Sequence, residues 1–479
     1  MKLIFERGAP GAGSAVLPKC DVKSVEPPAG YARATPPALP ELAEIEVSRH
    51  YSEFARNTFG VNGGFYPLGS CTMKYNPAMC EEAAGNSGFT DIHPLQPERT
   101  AQGCLEVLFA AERGLCEITG MDAMCFAPAA GAHGELTGLM MIRAYHASRG
   151  DSRRDEIIVP DSAHGTNPAS AAMAGFRVIH LPSAADGEID ISALKSIIGD
   201  KTAGLMLTNP NTLGLFERKA ADAARAVHDA GGLMYYDGAN MNAILGVARP
   251  GDMGFDVLHL NLHKTFATPH GGGGPGSGPV GCKKALAPFM PAGRVEECGF
   301  GDYSWAILEK EGIGRVSQFY GNFLVVVRAL AYLTALGAEG IAGVSENAVL
   351  NANYMMKMLE GKYEAAFPGG CMHEFVLSLE KLKKETGVSA LDAAKAMIDR
   401  GMHPPTMYFP LIVREALMFE PTETETKATL DDAVSALLDI YRQAETDPAP
   451  LFNAPSKTPV SRPDEAAAAR TLKLRYEFG

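Results

Sequence analysis

The sequence has little positive charge and no cysteines at metal-binding spacing. Its 479 residues carry 43 Lys and Arg against 56 Asp and Glu, a formal net charge of −13. No basic run is present, which argues against binding to nucleic acid. The nine cysteines are odd in number and lack CxxC spacing. This pattern argues against a disulfide framework and a zinc ribbon, and it favours a reducing, cytoplasmic compartment.

Long uninterrupted hydrophobic runs are also absent. The most apolar stretch, FLVVVRALAYLTALGAEG at 323–340, is broken by Arg328 and Glu339. It is therefore predicted to be too short and too interrupted to span a bilayer. The first residues, MKLIFERGAPG, contain too few apolar residues before Glu6 to be a signal peptide. We expect no membrane association.

The chain divides by composition into three regions. Residues 1–75 are predicted to form an N-terminal arm, rich in Pro, Gly and Ala over 1–40, and an irregular interface segment. The apolar but irregular stretch FGVNGGFYPLGSCTMKYNP at 59–77 is expected to be buried against another surface. Residues 76–330 alternate continuous apolar runs with helical patterns, as expected for an α/β domain with a mostly parallel sheet. Residues 331–479 are predicted to form a smaller C-terminal α/β domain with an extended tail.

Polar residues follow the predicted strands of the large domain. His164 follows EIIVPDSA, Asn209 and Asn211 follow AGLMLT, Asp237 follows LMYY, and Lys264 follows VLHLNLH. In open α/β sheets, ligands bind in the crevice beyond the carboxyl ends of the strands. We therefore expect these side chains to form one site.

Pyridoxal phosphate chemistry needs this combination of residues. The aldehyde of the cofactor needs a lysine amine, which Lys264 offers, and the pyridine nitrogen needs a carboxylate such as Asp237. The flat ring needs a planar partner, which His164 could supply. The phosphate needs backbone N–H groups at a helix N-terminus, and the stretch PAAGAHGELTGL at 128–139 offers small residues leading into a helical pattern.

Several motifs resemble the glycine decarboxylase P-protein family of the glycine cleavage system. The most specific is DVLHLNLHKTFATPHGGGGPGSGPVG around Lys264, together with FYPLGSCTMKYNP. Further matches are DIHPLQPERTAQG, PAAGAHGELTGL, DSAHGTNPASA, YYDGANMNAI and HPPTMYFPLIVREALMFEPTETE. They extend from about residue 50 to residue 430, and the length resembles the second subunit of the two-subunit bacterial form.

The resemblance implies a fold type I (aspartate-aminotransferase-like) enzyme that binds pyridoxal 5′-phosphate. It implies Lys264 as the Schiff-base lysine, Asp237 as the partner of the pyridine nitrogen and His164 as the stacking residue. The remaining cofactor-binding residues are expected to be Ala130, Gly131 and Ala132 of the phosphate turn, with Asn209 and His263. No metal is expected.

The same resemblance implies a reaction and its partners. Glycine would lose its carboxylate as CO2, and the remaining aminomethyl group would pass to the lipoyl arm of H-protein. Water exclusion would matter, since early protonation would release methylamine. The partners implied are a first P-protein subunit, in an α2β2 assembly, and lipoylated H-protein.

Other interpretations remain open at this point. The chain could be another fold type I enzyme acting on amino acids, or a non-catalytic scaffold subunit. Cys71 is either a nucleophile or a small buried residue. His259 and His263 have a metal-like spacing only if they lie on a helix. The glycines at 271–274 are expected to let the backbone approach the phosphate or another subunit.

Overall fold

The computed structural model describes residues 2–13, 18–35, 37–269, 275–306 and 310–477. The four glycines at 271–274, predicted to make room for the phosphate or another subunit, lie outside these residues.

Within the described residues the helices are distributed along the whole chain from residue 44 onward. They are α1 (Glu44–Asn57), α2 (Ala78–Ala84), α3 (Ser87–Thr90), α4 (Gln102–Thr119), α5 (Gly131–Ser148), α6 (Thr166–Met173), α7 (Ile191–Ile197), α8 (Ala220–Asp229), α9 (Phe323–Leu359), α10 (Glu380–Thr386), α11 (Ala390–Ile398), α12 (Lys427–Thr446), α13 (Ala449–Phe452) and α14 (Glu465–Arg470).

The described strands fall into three sheets. They are β1 (Ala123–Cys125), β2 (Glu156–Pro160), β3 (Arg177–Leu181), β4 (Thr202–Thr208), β5 (Leu233–Gly238), β6 (Val257–Leu260), β7 (Val280–Cys282), β8 (Val295–Gly299), β9 (Asp302–Trp305), β10 (Glu364–Ala365), β11 (Phe375–Ser378), β12 (Thr406–Met407) and β13 (Ala416–Phe419).

The large sheet has seven strands in the order β1-β7-β6-β5-β4-β2-β3. Its central strands β2 to β6 run parallel, and β7 runs antiparallel to both of its neighbours. Strands β2, β4, β5 and β6 are buried along their whole length, because helices cover both faces. The predicted α/β class with a mostly parallel sheet is confirmed.

Helix α5 lies close to the sheet at two of its three glycines, Gly134 and Gly138. A Cβ on Gly134 would lie 2.6 Å from the carbonyl oxygen of Gly278, and one on Gly138 would lie 2.6 Å from the ring of Tyr235. Any larger residue would push the helix outward. The glycines therefore hold the N-terminus of α5 beside the ends of the central strands.

The C-terminal part contains a four-stranded antiparallel sheet, in the order β10-β11-β13-β12. It has its own hydrophobic cluster, formed by Phe65 and by residues between 352 and 454, whereas the large cluster draws on residues between 80 and 344. Helix α9 runs across the predicted boundary at residue 330. The three-part division of the chain stays a prediction.

Helix α9 consists of two helical stretches that meet at a break. Its 37 residues include an internal break at Gly337, where φ is 63° and ψ is −178°. Among the described residues it is the one helix long and apolar enough to cross a membrane by length and composition, with 33% of its most apolar window buried. Core helices of globular proteins meet the same criterion, and Arg328 within it is paired with Glu81 at 2.8 Å.

Segment 59–77 packs against the small sheet. Leu68 forms an isolated antiparallel bridge with Phe419 of β13, and the amide of Gly69 donates to the carbonyl of Met418 at 3.2 Å. The hydroxyl of Thr406 in β12 donates to the carbonyl of Gly69 at 2.7 Å. The N-terminal segment thus connects the small sheet with the site described next.

Candidate active site

Lys264 lies in a turn rather than at the end of a strand. The sequence predicted a strand through VLHLNLH, but β6 ends at Leu260. The chain then turns, with the amide of Lys264 donating to the carbonyl of Asn261 at 3.0 Å, and β7 pairs back along β6. This correction leaves Lys264 at the carboxyl edge of the sheet, where the crevice was predicted.

The amine of Lys264 faces a cleft of about 940 Å³. Its Nζ donates to the carbonyl of Ser70 at 2.8 Å. The cleft walls come mostly from the N-terminal segment, and they include Phe59, Tyr66, Leu68, Thr72, Met73, Lys74, Tyr75, His263, Thr268 and Pro269. Segment 59–77 is therefore a wall of the cleft that leads to Lys264.

Asp237 is buried at the end of β5 and is held by three groups. Its carboxylate is contacted by Asn167 Nδ2 (2.9 Å to Oδ2), the Ala239 amide (2.9 Å to Oδ1) and His259 Nε2 (3.4 Å from Oδ1). Burial alone would raise the pKa of Asp237, but these contacts outweigh burial and lower it. Asp237 is therefore ionised and fixed in direction.

Glu135 is a second buried acid beside Asp237. The same Asn167 Nδ2 that contacts Asp237 also donates to Glu135 Oε2 at 3.1 Å. Burial, followed by the charge of Asp237, raises the pKa of Glu135 to about 8. The pair therefore carries one negative charge at neutral pH. Sequence reasoning did not predict that Glu135 lies beside Asp237, although Glu135 belongs to the motif PAAGAHGELTGL.

The predicted phosphate turn lies at the N-terminus of α5. The helix begins at Gly131, and the side chain of Ala130, at the preceding position, makes no capping hydrogen bond. Both Ala130 and Ala132 are exposed. A Cβ on Gly131 would lie 2.5 Å from the side-chain nitrogen of Asn261, which follows β6, so the helix begins at the carboxyl edge of the sheet, and its first N–H groups are available to an anion there.

His263 lies next to this turn. Its Nδ1 accepts from the amide of Ser277 at 3.3 Å, and it lines the cleft with Lys264. A Cβ on Gly276 would lie 3.1 Å from the His263 ring and 3.4 Å from the carbonyl of Ala129. The backbone of Gly276 thus lies between the His263 ring and the start of α5, with no room for a side chain.

His164 lies in the loop between β2 and α6, with an open face toward solvent. Its Nδ1 is 2.8 Å from the hydroxyl of Thr166, and its ring meets Phe409 edge-on at 5.8 Å between centroids. Surrounding protein and the charge of Lys264 lower the pKa of His164, while Asp237 opposes this effect. The ring is therefore neutral and near both charged residues, which stacking on a cofactor would need.

The side chain of Asn209 does not face the site. Its Oδ1 accepts from the amide of Glu217 at 2.9 Å, and its Nδ2 points to the carbonyl of the same residue at 3.5 Å. Asn211 is likewise used locally, with its Nδ2 donating to Glu217 Oε1 at 2.8 Å. Both residues hold the loop after β4. The structure thus gives no support to a cofactor contact by Asn209.

His259 and His263 do not converge. His259 lies on β6, where its Nδ1 is 2.9 Å from the hydroxyl of Tyr235 and its Nε2 faces Asp237. His263 faces Ser277 instead. Because β6 is a strand and ends between them, the helix spacing required for a shared metal is not realised.

Cys71 is half-buried beside the site. Burial raises the pKa of its thiol, and the nearby Lys264 only partly offsets that effect. A thiol in such a setting is a weak nucleophile. The structure favours the interpretation of Cys71 as a small residue packed next to Met73, whose sulfur is 4.0 Å away.

Comparisons with known proteins identify the family. Residues 344–450 match the family model described as glycine dehydrogenase, C-terminal domain, and residues 139–361 match aminotransferase class-V. A protein of Treponema denticola named probable glycine dehydrogenase (decarboxylating) subunit 2 is 57% identical over 99% of this chain and 98% of its own length. The chain belongs to the glycine dehydrogenase (decarboxylating) subunit 2 family. A relative from Caldanaerobacter subterraneus with the same name is 56% identical, with 99% and 98% coverage.

Solved structures agree on the fold of this glycine dehydrogenase family member. A crystal structure of glycine decarboxylase (P-protein) of the glycine cleavage system, in inhibitor-bound form, matches with a TM-score of 0.72. The identity is 22%, over 85% of this chain and 92% of that one. The sphingosine-1-phosphate lyase of Burkholderia pseudomallei matches with a TM-score of 0.64 and 16% identity, over 90% and 95%. These structures support the fold, and the sequence identity to the named subunit 2 proteins confirms the resemblance to the P-protein family.

Proposed function

We propose that this chain is the cofactor-carrying subunit of a cytoplasmic glycine decarboxylase, which removes CO2 from glycine and passes the aminomethyl group to a lipoyl arm. The observation that carries the proposal is the arrangement of Lys264 and Asp237 at one sheet edge, in a chain of this family. A non-catalytic scaffold would not need a lysine facing a cleft or a buried ionised aspartate behind it.

The residues present fit pyridoxal 5′-phosphate. The uncapped N-terminus of α5 suits its phosphate, and the buried hydroxyl of Thr268, which lines the cleft, has no partner among the described residues. Lys264 would hold its aldehyde carbon, and Asp237 would face its ring nitrogen. When bound, the cofactor supplies a carbonyl group that links to amines and a ring that accepts the electrons released with CO2.

The protein's own residues would position and protect this chemistry. Asp237 would keep the ring nitrogen protonated, because three contacts fix its carboxylate in the ionised state. His164 would lie over one face of the ring. Glu135 would stay neutral, so that no second negative charge competes with Asp237 for that nitrogen. Segment 59–77 would limit the access of water to Lys264.

The partners follow from the family and from the cleft. The named relatives are second subunits, which implies a first subunit, and we propose an α2β2 assembly with it. The acceptor would be lipoylated H-protein, because the apolar walls of the cleft suit an alkyl arm that carries a disulfide. H-protein would dock briefly at the mouth of the cleft, with an interface at the small end of the usual range.

One experiment tests the assignment of Lys264. The chain, with the first subunit and pyridoxal phosphate, is reduced with borohydride and digested, and the labelled peptide is sequenced. The label is expected on Lys264. Lys283→Ala is the matched control, since Lys283 is another half-buried lysine whose amine donates to a backbone carbonyl, that of Gly120 at 2.7 Å. Loss of the label in Lys264→Ala supports the assignment, and retention of it contradicts the assignment.

A second assay tests the reaction. Exchange of CO2 with the glycine carboxyl is measured for this chain alone, with the first subunit, and with both the first subunit and lipoylated H-protein. Exchange is expected to be small for the chain alone and to reach its full rate in the complete mixture. Full exchange by the isolated chain, or with unlipoylated H-protein, would contradict the roles proposed for the partners.

A further inference from the structure

A second group of buried polar residues lies where segment 59–77 meets the small sheet. It contains His373, Glu374 and Glu420, which are 0%, 0% and 1% exposed. Phe375 of β11 pairs with Phe419 of β13, so the antiparallel register brings Glu374 and Glu420 side by side at the end of the ladder. One carboxyl oxygen of each residue and a ring nitrogen of His373 lie within 4.8 Å of one another.

The hydrogen bonds of this acid pair lead back to the N-terminal segment. Glu374 Oε2 accepts from the amide of Ser70 at 2.8 Å, and its Oε1 accepts from Asn240 Nδ2 at 3.2 Å. Glu420 Oε1 accepts from the hydroxyl of Thr72 in a short hydrogen bond. The other oxygen of Glu420 and both ring nitrogens of His373 have no partner within the described residues.

No cation is in hydrogen-bond contact with either carboxyl group among the described residues. The nearest lysines are engaged elsewhere, Lys264 with Ser70 and Lys74 with Glu423. The titratable and charged groups that surround Glu420 are Cys71, Lys74, Lys264, His373, Glu374 and Glu423. Two carboxylates this close in a buried site cannot both ionise, so the pair retains a proton near neutral pH.

The direction of the pKa shifts agrees with this geometry. Burial raises the pKa of Glu420 to about 7. Burial and the neighbouring Glu420 raise the pKa of Glu374 well above its usual value. His373 cannot take the proton instead, because burial, with the charge of Lys264, lowers its pKa to about 3.

Thr72 connects the acid pair to the cleft. It is one of the residues that line the cleft together with Lys264, and its hydroxyl contacts Glu420. In the structure Thr72 donates to Glu420 Oε1. When Glu420 holds the shared proton, this hydrogen bond reverses, so that Thr72 accepts from the acid and its own proton can point into the cleft. Thr72 is therefore placed to carry a proton from a buried acid to a molecule in the cleft.

We propose that Glu374 and Glu420 hold a shared proton that reaches the acceptor sulfur in the cleft through Thr72. This proposal rests on the proposed function. It adds the proton donor for the second step, the transfer of the aminomethyl group to the lipoyl disulfide. The aminomethyl carbon forms a bond to one sulfur of the lipoyl disulfide, the S–S bond breaks, and its electron pair stays on the second sulfur. That sulfur takes the proton of Thr72, Thr72 takes the proton of Glu420, and solvent returns one proton to the pair.

The test separates aminomethyl transfer from decarboxylation. The complete complex of both subunits is given glycine. Aminomethyl transfer to lipoylated H-protein is measured in one arm, and release of methylamine without H-protein in the other. In Thr72→Val and Glu420→Gln the ratio of transfer to methylamine release is expected to fall roughly 10²-fold, the range of a lost general acid. Thr72→Ser, which keeps the hydroxyl, is expected to restore the ratio to within about threefold of the native value.

Matched controls exclude a general effect of the substitutions. Thr119→Val removes a buried hydroxyl that donates only to the carbonyl of Leu115 in its own helix. Glu217→Gln neutralises another buried acid whose pKa burial raises to about 7, away from the cleft. Both controls are expected to keep the native ratio. Cofactor absorbance and thermal unfolding of each variant show that the fold and the cofactor site are intact.

The pH profile gives a second readout. Transfer by the native complex is expected to decline as the pH rises above about 7, as the pair loses its proton, and Glu420→Gln should lack this decline. Equal loss of transfer and methylamine release would overturn the proposal, as would an unchanged ratio in Thr72→Val. A stoichiometric transition metal at the pair, found by elemental analysis, would also overturn it. Failure of the native complex in both arms would instead count against the proposed function.

Discussion

The side-chain amide of Asn167 lies 2.9 Å from Asp237 Oδ2 and gives that carboxylate a fixed direction. The same nitrogen also donates to Glu135 Oε2 at 3.1 Å. Asn167→Ala is expected to lower the free energy of unfolding by about 2–3 kcal/mol, since two buried carboxyl groups lose a donor. Urea unfolding measures the change. Asn347→Ala, which removes an exposed amide bonded to its own helix, should have little effect.

Asp237→Asn is expected to retain the cofactor but to lose decarboxylation by roughly 10²-fold or more, by analogy with loss of one preorganised electrostatic contact. The reason is that an amide cannot hold the ring nitrogen in its protonated form. Cofactor content by absorbance and CO2 release from glycine are measured together. Near-native CO2 release by this variant would exclude the role given to Asp237.

The stability of the cofactor-free chain should fall with rising pH because of Glu135. Its pKa is raised by burial from 4.5 to about 8 in the folded chain. Below pH 4.5 the carboxyl group is protonated in both states, and its contribution to stability is fully present. As the pH rises toward 8 the unfolded chain releases this proton and the folded chain retains it, so that contribution is lost.

Glu135→Gln tests this linkage, because glutamine cannot titrate. Urea unfolding at several pH values between 4.5 and 8 should show a smaller decline for the variant than for the native chain. Glu420 and Glu217 are raised in the same direction, so part of the decline should remain. A decline of the same size in both proteins would contradict the state assigned to Glu135.

Lys74 and Glu423 form a buried ion pair that links segment 59–77 to the loop after β13. Their N–O distance is 2.6 Å, and the amine also contacts Asn242 at 2.8 Å. Lys74→Met alone is expected to cost about 3–5 kcal/mol of unfolding free energy, because it leaves an unpaired buried charge. The double variant Lys74→Met, Glu423→Leu should recover most of this loss. If the two single substitutions lower the unfolding free energy by amounts that add up in the double variant, the two residues do not interact.

The sequence was informative where a residue follows a parallel strand. Asp237, Lys264 and His164 could be predicted to meet, because the carboxyl ends of parallel strands share one edge. The orientation of the Asn209 side chain could not be predicted, because its Oδ1 accepts a hydrogen bond from a backbone amide eight residues later in the chain. Strand ends were also uncertain, and β6 stops four residues before Lys264.

The partners of these residues were beyond sequence reasoning. Glu135 and Asn167 lie on separate helices, and only the packing of α5 and α6 brings them to Asp237. Glu374 contacts Ser70 across 304 positions of the chain. A local signal did exist, because Glu374 and Glu420 each directly flank a short apolar run, where an unpaired acid is costly.

The contact of Lys264 with Ser70 has a mechanical consequence. Ser70 follows Gly69, whose backbone is bonded to Met418 and Thr406 of the small sheet, and a Cβ at Gly69 would lie 2.6 Å from the carbonyl oxygen of Met418. Lys264 lies in the turn that follows β6 of the large sheet. The distance from Lys264 Nζ to Ser70 O therefore depends on the position of the small sheet relative to the large sheet. Any shift of the small sheet is transmitted to the amine through one short stretch of backbone.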